Sequence, residues 1–202
     1  EEVVDGIWLD FIRYPVHWEV HEPEFNEFCY CDNCLSKFRA DTNLDHPRED
    51  KKLWRDWKCV QITDFVADVR NIIESSGRDL KLGLFAVPWK NSDFEGAIRK
   101  IVGQDFRALS KYVDDFSPMT YHRMCGFLPE WIHETVSYFK EITGKPVLPL
   151  VQTENKPQGF SAAEFRVALR EAVKESSEGV VVFFLENLIE QPKKLEIVHQ
   201  LF

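Results

Sequence analysis

The chain has 202 residues, 44% of them hydrophobic and 29% charged, which is ordinary globular usage and enough for one sizeable core. A formal net charge of -9 excludes a phosphate-backbone partner, because nucleic-acid binding relies on Lys and Arg displacing condensed counterions. There is no apolar run of about 18 residues and no basic leader before an apolar stretch, so neither a membrane span nor a signal peptide is visible. The reading is a soluble single domain over 1–202, with the compartment (secreted, periplasmic or cytoplasmic) left open.

Five short apolar runs follow one another, each ending in polar or aromatic residues. They are Val3 to Asp10, Lys81 to Trp89, Val113 to His122, Lys145 to Glu154 and Gly179 to Asn187. Helical periodicity fills the gaps. The first helix, roughly Lys51 to Ser76, places Leu53, Trp57, Val60, Phe65, Val69, Ile72 and Ile73 on one broad face. Glu130 to Thr143, Ser161 to Ser176 and Gln191 to Leu201 read the same way. "SAAE" is a capping-box pattern, with Ser161 as cap and Glu164 reaching back. Gly77 and Gly144 stop their helices just before a strand.

Alternating strands and helices, with near-continuous apolar strands, are the pattern of a parallel sheet covered by helices, hence an α/β fold. No strand is followed by a glycine-rich phosphate turn, so a nucleotide has no obvious seat. The strand ends carry Asp10, Arg13, Tyr14, Trp89, Tyr121, His122, Gln152, Glu154, Glu186 and Asn187 instead, the residue types of a sugar site. Such groups gather at the C-terminal face of a (β/α)8 barrel, which needs eight strands and about 250 residues. Five strands then correspond to strands four to eight, the first three being absent or supplied by another piece of chain. An open, five-stranded doubly wound sheet is the alternative.

Three strand ends resemble the glycoside-hydrolase-like barrel families, which degrade polysaccharides. Their fourth strand, D-G-I-x-L-D-[FY]-x-R-[FY]-P, is matched by Asp5, Gly6, Ile7, Leu9, Asp10, Phe11, Arg13, Tyr14 and Pro15. Their sixth, V-D-x-x-S-P-M-x-Y, is matched with one residue's slack by Val113, Asp114, Ser117, Pro118, Met119 and Tyr121. Their seventh, P-x-x-Q, is matched by Pro149 and Gln152. The resemblance implies a catalytic barrel acting on a carbohydrate. The first stretch is also similar to the family 18 chitinase motif D-G-x-D-x-D-x-E, but Trp8 and Ile12 stand where that motif needs Asp and the catalytic Glu.

Strand alternation puts Gly6 and Trp8 on the side of Asp10, with Ile7 and Leu9 toward the helices. A carboxylate at the mouth of an aromatic-walled cavity suits a nucleophile, a general base or a stabiliser of an oxocarbenium-like transition state. Arg13 holds it ionised or binds a sugar group. Glu186 and Glu154 are the candidate second carboxylates. Trp8, Trp89, Tyr14, Tyr121, His122 and Gln152 complete the expected substrate site, with Trp89 as a stacking platform. A structural role is the plain alternative for each. Hydrolysis needs two carboxylates within about 10 Å, whereas a non-catalytic carbohydrate-binding barrel does not. A Schiff-base aldolase has only Lys90, next to Trp89, to recommend it.

In the loop at about 16–50, Cys29, Cys31 and Cys34 form a C-x-C-x2-C cluster that suits a tetrahedral zinc needing one more ligand. A disulfide or free thiols are the alternatives. His17, His21, Cys59, Cys125 and residues outside the chain are the candidate fourth ligands. A similar stretch in family 42 β-galactosidases binds a structural zinc, which implies a fastening role and no cofactor for catalysis. In those enzymes an Asn-Glu pair at the strand end is catalytic. Asn26 and Glu27 come a loop later, so Glu27 does not inherit that role.

Overall fold

The computed structural model describes residues 4–157 and 159–202. Val3, where the first apolar run begins, lies outside them. Each of the five runs contains one strand: β1 Gly6–Leu9, β2 Lys81–Ala86, β3 Asp115–Pro118, β4 Leu150–Gln152 and β5 Val181–Phe183. Helices α1 Asp32–Thr42 and α2 Lys51–Ser75 separate β1 from β2. The short α3, Phe106–Leu109, precedes β3, and α4 Glu130–Thr143 leads into β4. Helix α5 Ala162–Ala172 leads into β5, and α6 Leu185–Ile189 and α7 Pro192–Leu201 follow it. No helix among the described residues is long and apolar enough to cross a membrane.

Every strand pairing is parallel. β1, β2 and β3 lie side by side in chain order, and so do β4 and β5. A parallel bridge between Phe116 and Val147 joins the two groups, with the Phe116 N–H donating to Pro146 O at 3.0 Å and the Leu148 N–H to Phe116 O at 2.9 Å. The result is one sequential parallel array that does not close on itself among the described residues. Leu82, Leu84 and Phe116 point outward into the main core, fully buried with Phe106, Val113 and Phe139.

The inner face is set by one close approach. Trp8 is opposite Gly83 in the register, and its indole lies across that glycine to donate from Nε1 to Ser117 Oγ at 3.0 Å. A Cβ at Gly83 would come within 2.2 Å of the indole. Trp8 therefore lines the interior floor as expected, and Leu9 packs on the main core, but Ile7, expected against the helices, is 40% exposed.

Two sequence expectations are corrected here. Helix α2 buries Trp54, Trp57, Lys58, Cys59, Val66 and Ile73, whereas Leu53, Val60, Phe65 and Ile72 are exposed. Its face is chosen by Phe38 of α1, whose ring meets Trp54 and Trp57 edge-on, rather than by a single core stripe. Ser161 does cap α5, accepting from the Glu164 N–H at 3.1 Å, but the Glu164 carboxylate turns to His122 and Arg123 instead of reaching back.

Gly83→Ala is expected to lower stability by about 1–3 kcal/mol, since the added methyl must displace a packed indole. A chemical denaturation midpoint unchanged from wild type would contradict this.

Candidate functional site

Beyond the C-terminal end of β1 the chain turns sharply. Asp10 Oδ1 accepts from the Phe11 N–H at 2.7 Å, and Phe11 sits at φ 56, a left-handed conformation uncommon for a bulky residue. The Arg13 N–H closes the turn onto Phe11 O at 2.8 Å. The turn leaves the Phe11 ring 72% exposed, with the Arg13 guanidinium over it at 5.1 Å. Asp10 is exposed at the strand tip, oriented by backbone rather than buried.

Next to this turn lies a cavity of about 720 Å³ bordered by Phe11, Arg13, His17, Glu19, Glu24 and Phe28, among others. Burial lowers the Arg13 pKa, while the charges of Glu19 and Asp10 pull it back up. The same two carboxylates act on Tyr121, whose pKa is raised first by burial and then by Glu19 and Asp10, so its phenol stays a neutral hydrogen-bond donor. Tyr121 is buried in a stack, with ring centroids 5.6 Å from Trp18 and 5.6 Å from Phe183. That stack ties the segment after β1 to β5 through the end of β3. Arg13 and Tyr121 thus both lie in the field of Asp10 and Glu19. Glu19 was not singled out in the sequence, because nothing local to it shows that the loop folds back toward Asp10.

The remaining site residues take other places. Trp89 is only 3% exposed and is the base on which Phe25 and Phe94 rest, which corrects its expected role as an open platform. Gln152 is buried with its amide engaged by backbone, accepting from the Met124 N–H and donating to Glu154 O and Lys156 O. It fastens loops. His122 is fully buried, with Nε2 3.2 Å from Glu164 Oε1; burial lowers its pKa against the pull of Glu164, so the ring is held neutral inside the fold. Glu154 pairs with Lys156 at 2.8 Å, and Glu186 is exposed in the first turn of α6. Lys90 pairs with Glu134 of α4 at 3.4 Å.

Tyr14 faces the cysteines. It shares a small cavity with Cys34, Asn33 and Trp57, and its raised pKa comes first from burial and then from the neighbouring thiols. Cys29, Cys31 and Cys34 have their sulfurs all within 4.8 Å of one another. A tetrahedral zinc with about 2.3 Å bonds sets its sulfurs about 3.8 Å apart, so this donor set fits the ion after small rotations. Of the proposed fourth ligands, none joins that group among the described residues. Cys59 donates to Arg99 O, Cys125 to Trp18 O, His21 packs on Gly126 and His17 borders the Asp10 cavity. Lys58 backs the cluster: it is fully buried and donates from Nζ to Phe28 O at 3.1 Å and Lys100 O at 2.9 Å.

No family model matches the chain, and no curated protein does. Among solved structures it is similar to the PgaB (BpsB) glycoside hydrolase domain from Bordetella bronchiseptica. The TM-score is 0.70 at 15% identity, over 96% of this chain and 55% of that one. The fold is shared with glycoside hydrolase domains. Bee venom hyaluronidase is also similar, with a TM-score of 0.55 at 15% identity, over 84% of this chain and 60% of that one. The chain therefore spans little more than half of these structures.

Tyr121→Ala is expected to cost about 3–5 kcal/mol, as for other buried aromatics, while Tyr121→Phe keeps the stack and is expected to cost far less. Equal denaturation midpoints for the two variants would show that the stack does not hold the site together.

Proposed function

We propose that the chain carries the catalytic face of a glycoside hydrolase. In this reading its five strands are the fourth to eighth of a (β/α)8 barrel, and the other three come from elsewhere in a longer protein. The supporting observation is a cavity at the C-terminal end of β1 that is lined by Phe11, Arg13 and Glu19 next to the exposed Asp10, with both carboxylates acting on Arg13 and Tyr121, where barrel enzymes place their chemistry. The two similar structures, one titled a glycoside hydrolase domain and the other a hyaluronidase, agree with it.

Asp10, fixed by the Phe11 N–H, is the carboxylate that attacks, activates water or stabilises positive charge at the sugar ring. Glu19 is its partner, in the role the sequence offered to Glu154 and Glu186. The Tyr121 phenol supplies a neutral donor, and the Arg13 guanidinium supplies a positive charge within the field of both carboxylates. Phe11 offers the sugar an exposed ring in place of Trp89.

Cys29, Cys31 and Cys34 hold a structural zinc in this reading. It would clamp the loop that carries the cavity-lining residues Glu24, Asn26 and Phe28. The buried Lys58, bonded to Phe28 O, holds the backbone that leads into Cys29.

Asp10→Asn and Glu19→Gln are each expected to cut hydrolysis of a panel of aryl glycosides and polysaccharides by about 10²- to 10⁴-fold. Sugar binding without turnover in wild type would convert the reading to a carbohydrate-binding barrel. Purified protein should carry about one zinc per chain by metal analysis. Cys34→Ser should lose it and Cys59→Ser should keep it; full retention in Cys34→Ser would remove the metal site.

A further inference from the structure

The segment Glu24–Phe28 runs without helix or sheet partners across the C-terminal face, and its side chains alternate between two cavities. Glu24, Asn26 and Phe28 border the cavity next to Asp10, whereas Phe25 and Glu27 border a second one of about 600 Å³. The second cavity lies past the end of β2 and is completed by Arg55, Phe94, Glu95 and Lys100, among others. The two cavities are therefore neighbours, divided by the thickness of one extended strip.

The second cavity has a shelf of aromatic rings. Phe25 and Phe94 lie 5.2 Å apart and rest on Trp89 at 5.8 and 5.0 Å. Packing alone explains Trp89, which is 3% exposed. It does not explain its two companions, which remain 42% and 39% exposed. Phe94 and Glu95 both hold left-handed backbone, at φ 48 and φ 56, where non-glycine residues are uncommon and where strain accumulates at ligand sites. That strained turn presents the Phe94 ring at the cavity instead of folding it into the core.

The polar side of the cavity is fixed as well. Glu27 accepts from Arg55 Nε at 2.6 Å and from the Tyr30 hydroxyl at 3.0 Å, so its carboxylate is held in one orientation. Glu27 and Glu95 are balanced by Arg55 and Lys100, so the lining carries no net charge. By contrast, Glu19 and Glu24 outnumber Arg13 beside Asp10. An exposed apolar shelf facing rigid planar hydrogen-bonding groups is the chemistry that recognises a pyranose, whose C–H face stacks while its hydroxyls bridge carboxylate and guanidinium.

We propose that this second cavity is a subsite for an uncharged sugar residue of a glycan chain, which crosses the Glu24–Phe28 strip to reach Asp10. The proposal rests on the reading of this face as a carbohydrate site. It makes the protein a reader of chain length: the remote sugar anchors on Phe25 and Phe94, and the bond to be cut lies beside Asp10.

The test is affinity electrophoresis of the wild-type protein in gels containing uncharged polysaccharides (laminarin, xylan, hydroxyethyl cellulose) or charged ones (hyaluronan, pectin). It is run alongside Phe25→Ser, Phe94→Asn and Asp10→Asn. Asn tolerates left-handed backbone, so Phe94→Asn removes the ring without adding strain. Melting temperatures confirm that each variant is folded. The expected result is retardation of wild type by an uncharged polysaccharide, kept in Asp10→Asn and weakened about tenfold in each ring variant. Retardation that survives both ring removals overturns the subsite, and so does a wild type that no uncharged polysaccharide retards. Aryl-glycoside turnover by wild type and Asp10→Asn judges the catalytic reading separately.

Discussion

The indole of Trp8, lying over Gly83 and bonded to Ser117, spans three adjacent strands with one side chain. It works only if three conditions hold together. The strands must be parallel and in this register, the facing position of β2 must lack a side chain, and β3 must present a hydroxyl at the right height. Each is met by a residue whose neighbours point the other way into the helical layer, Leu82 and Leu84 on β2 and Phe116 on β3. The inner floor and the outer core thus fix each other, because a one-residue slip would exchange the two faces of every strand.

From that floor the C-terminal face follows. With β1 pinned, its last residues emerge at a defined point, and the left-handed turn at Phe11 aims the Asp10 carboxylate while lifting an aromatic ring into solvent. Trp18, further along the same segment, folds back to stack on Tyr121, which stacks in turn on Phe183 of β5. The return of the chain to Tyr121 brings Glu19 into the field of Arg13. A rigid aromatic column therefore places a group that no local preference would place.

This explains what was legible in the sequence. Strands and helices were, because apolar runs and helical periods are local; Glu130 to Thr143 is reproduced to the residue. The position of Asp10 and Arg13 just past a strand end was legible too, because it follows from the strand itself. Tyr14, Gln152, His122 and Trp89 were equally close to strand ends yet serve the cysteine cluster, the loops or the aromatic base, since a strand-end position gives height in the fold but not direction. The buried face of α2 was misread because Phe38 of a separate helix, and not the sheet alone, selects Trp54 and Trp57. Glu19 and the alternation of residues 24–28 between two cavities depend on a loop whose path is set by tertiary contacts.

The edges of the array bear on the choice between an open sheet and part of a barrel. Strand β1 ends one side of the array and β5 the other. Soluble proteins blunt open edges with charged side chains, proline or bulges, because bare edges pair with other chains. β1 reads Gly-Ile-Trp-Leu and β5 Val-Val-Phe, without a charge or a proline between them. Ile7 and Phe183 are left 40% and 46% exposed. Among the described residues neither edge strand carries such a device. Edges of this composition suit strands that pair further, as in the barrel of the similar glycoside hydrolase domain, where Ile7, on the face opposite Trp8, would be covered by the outer helical layer.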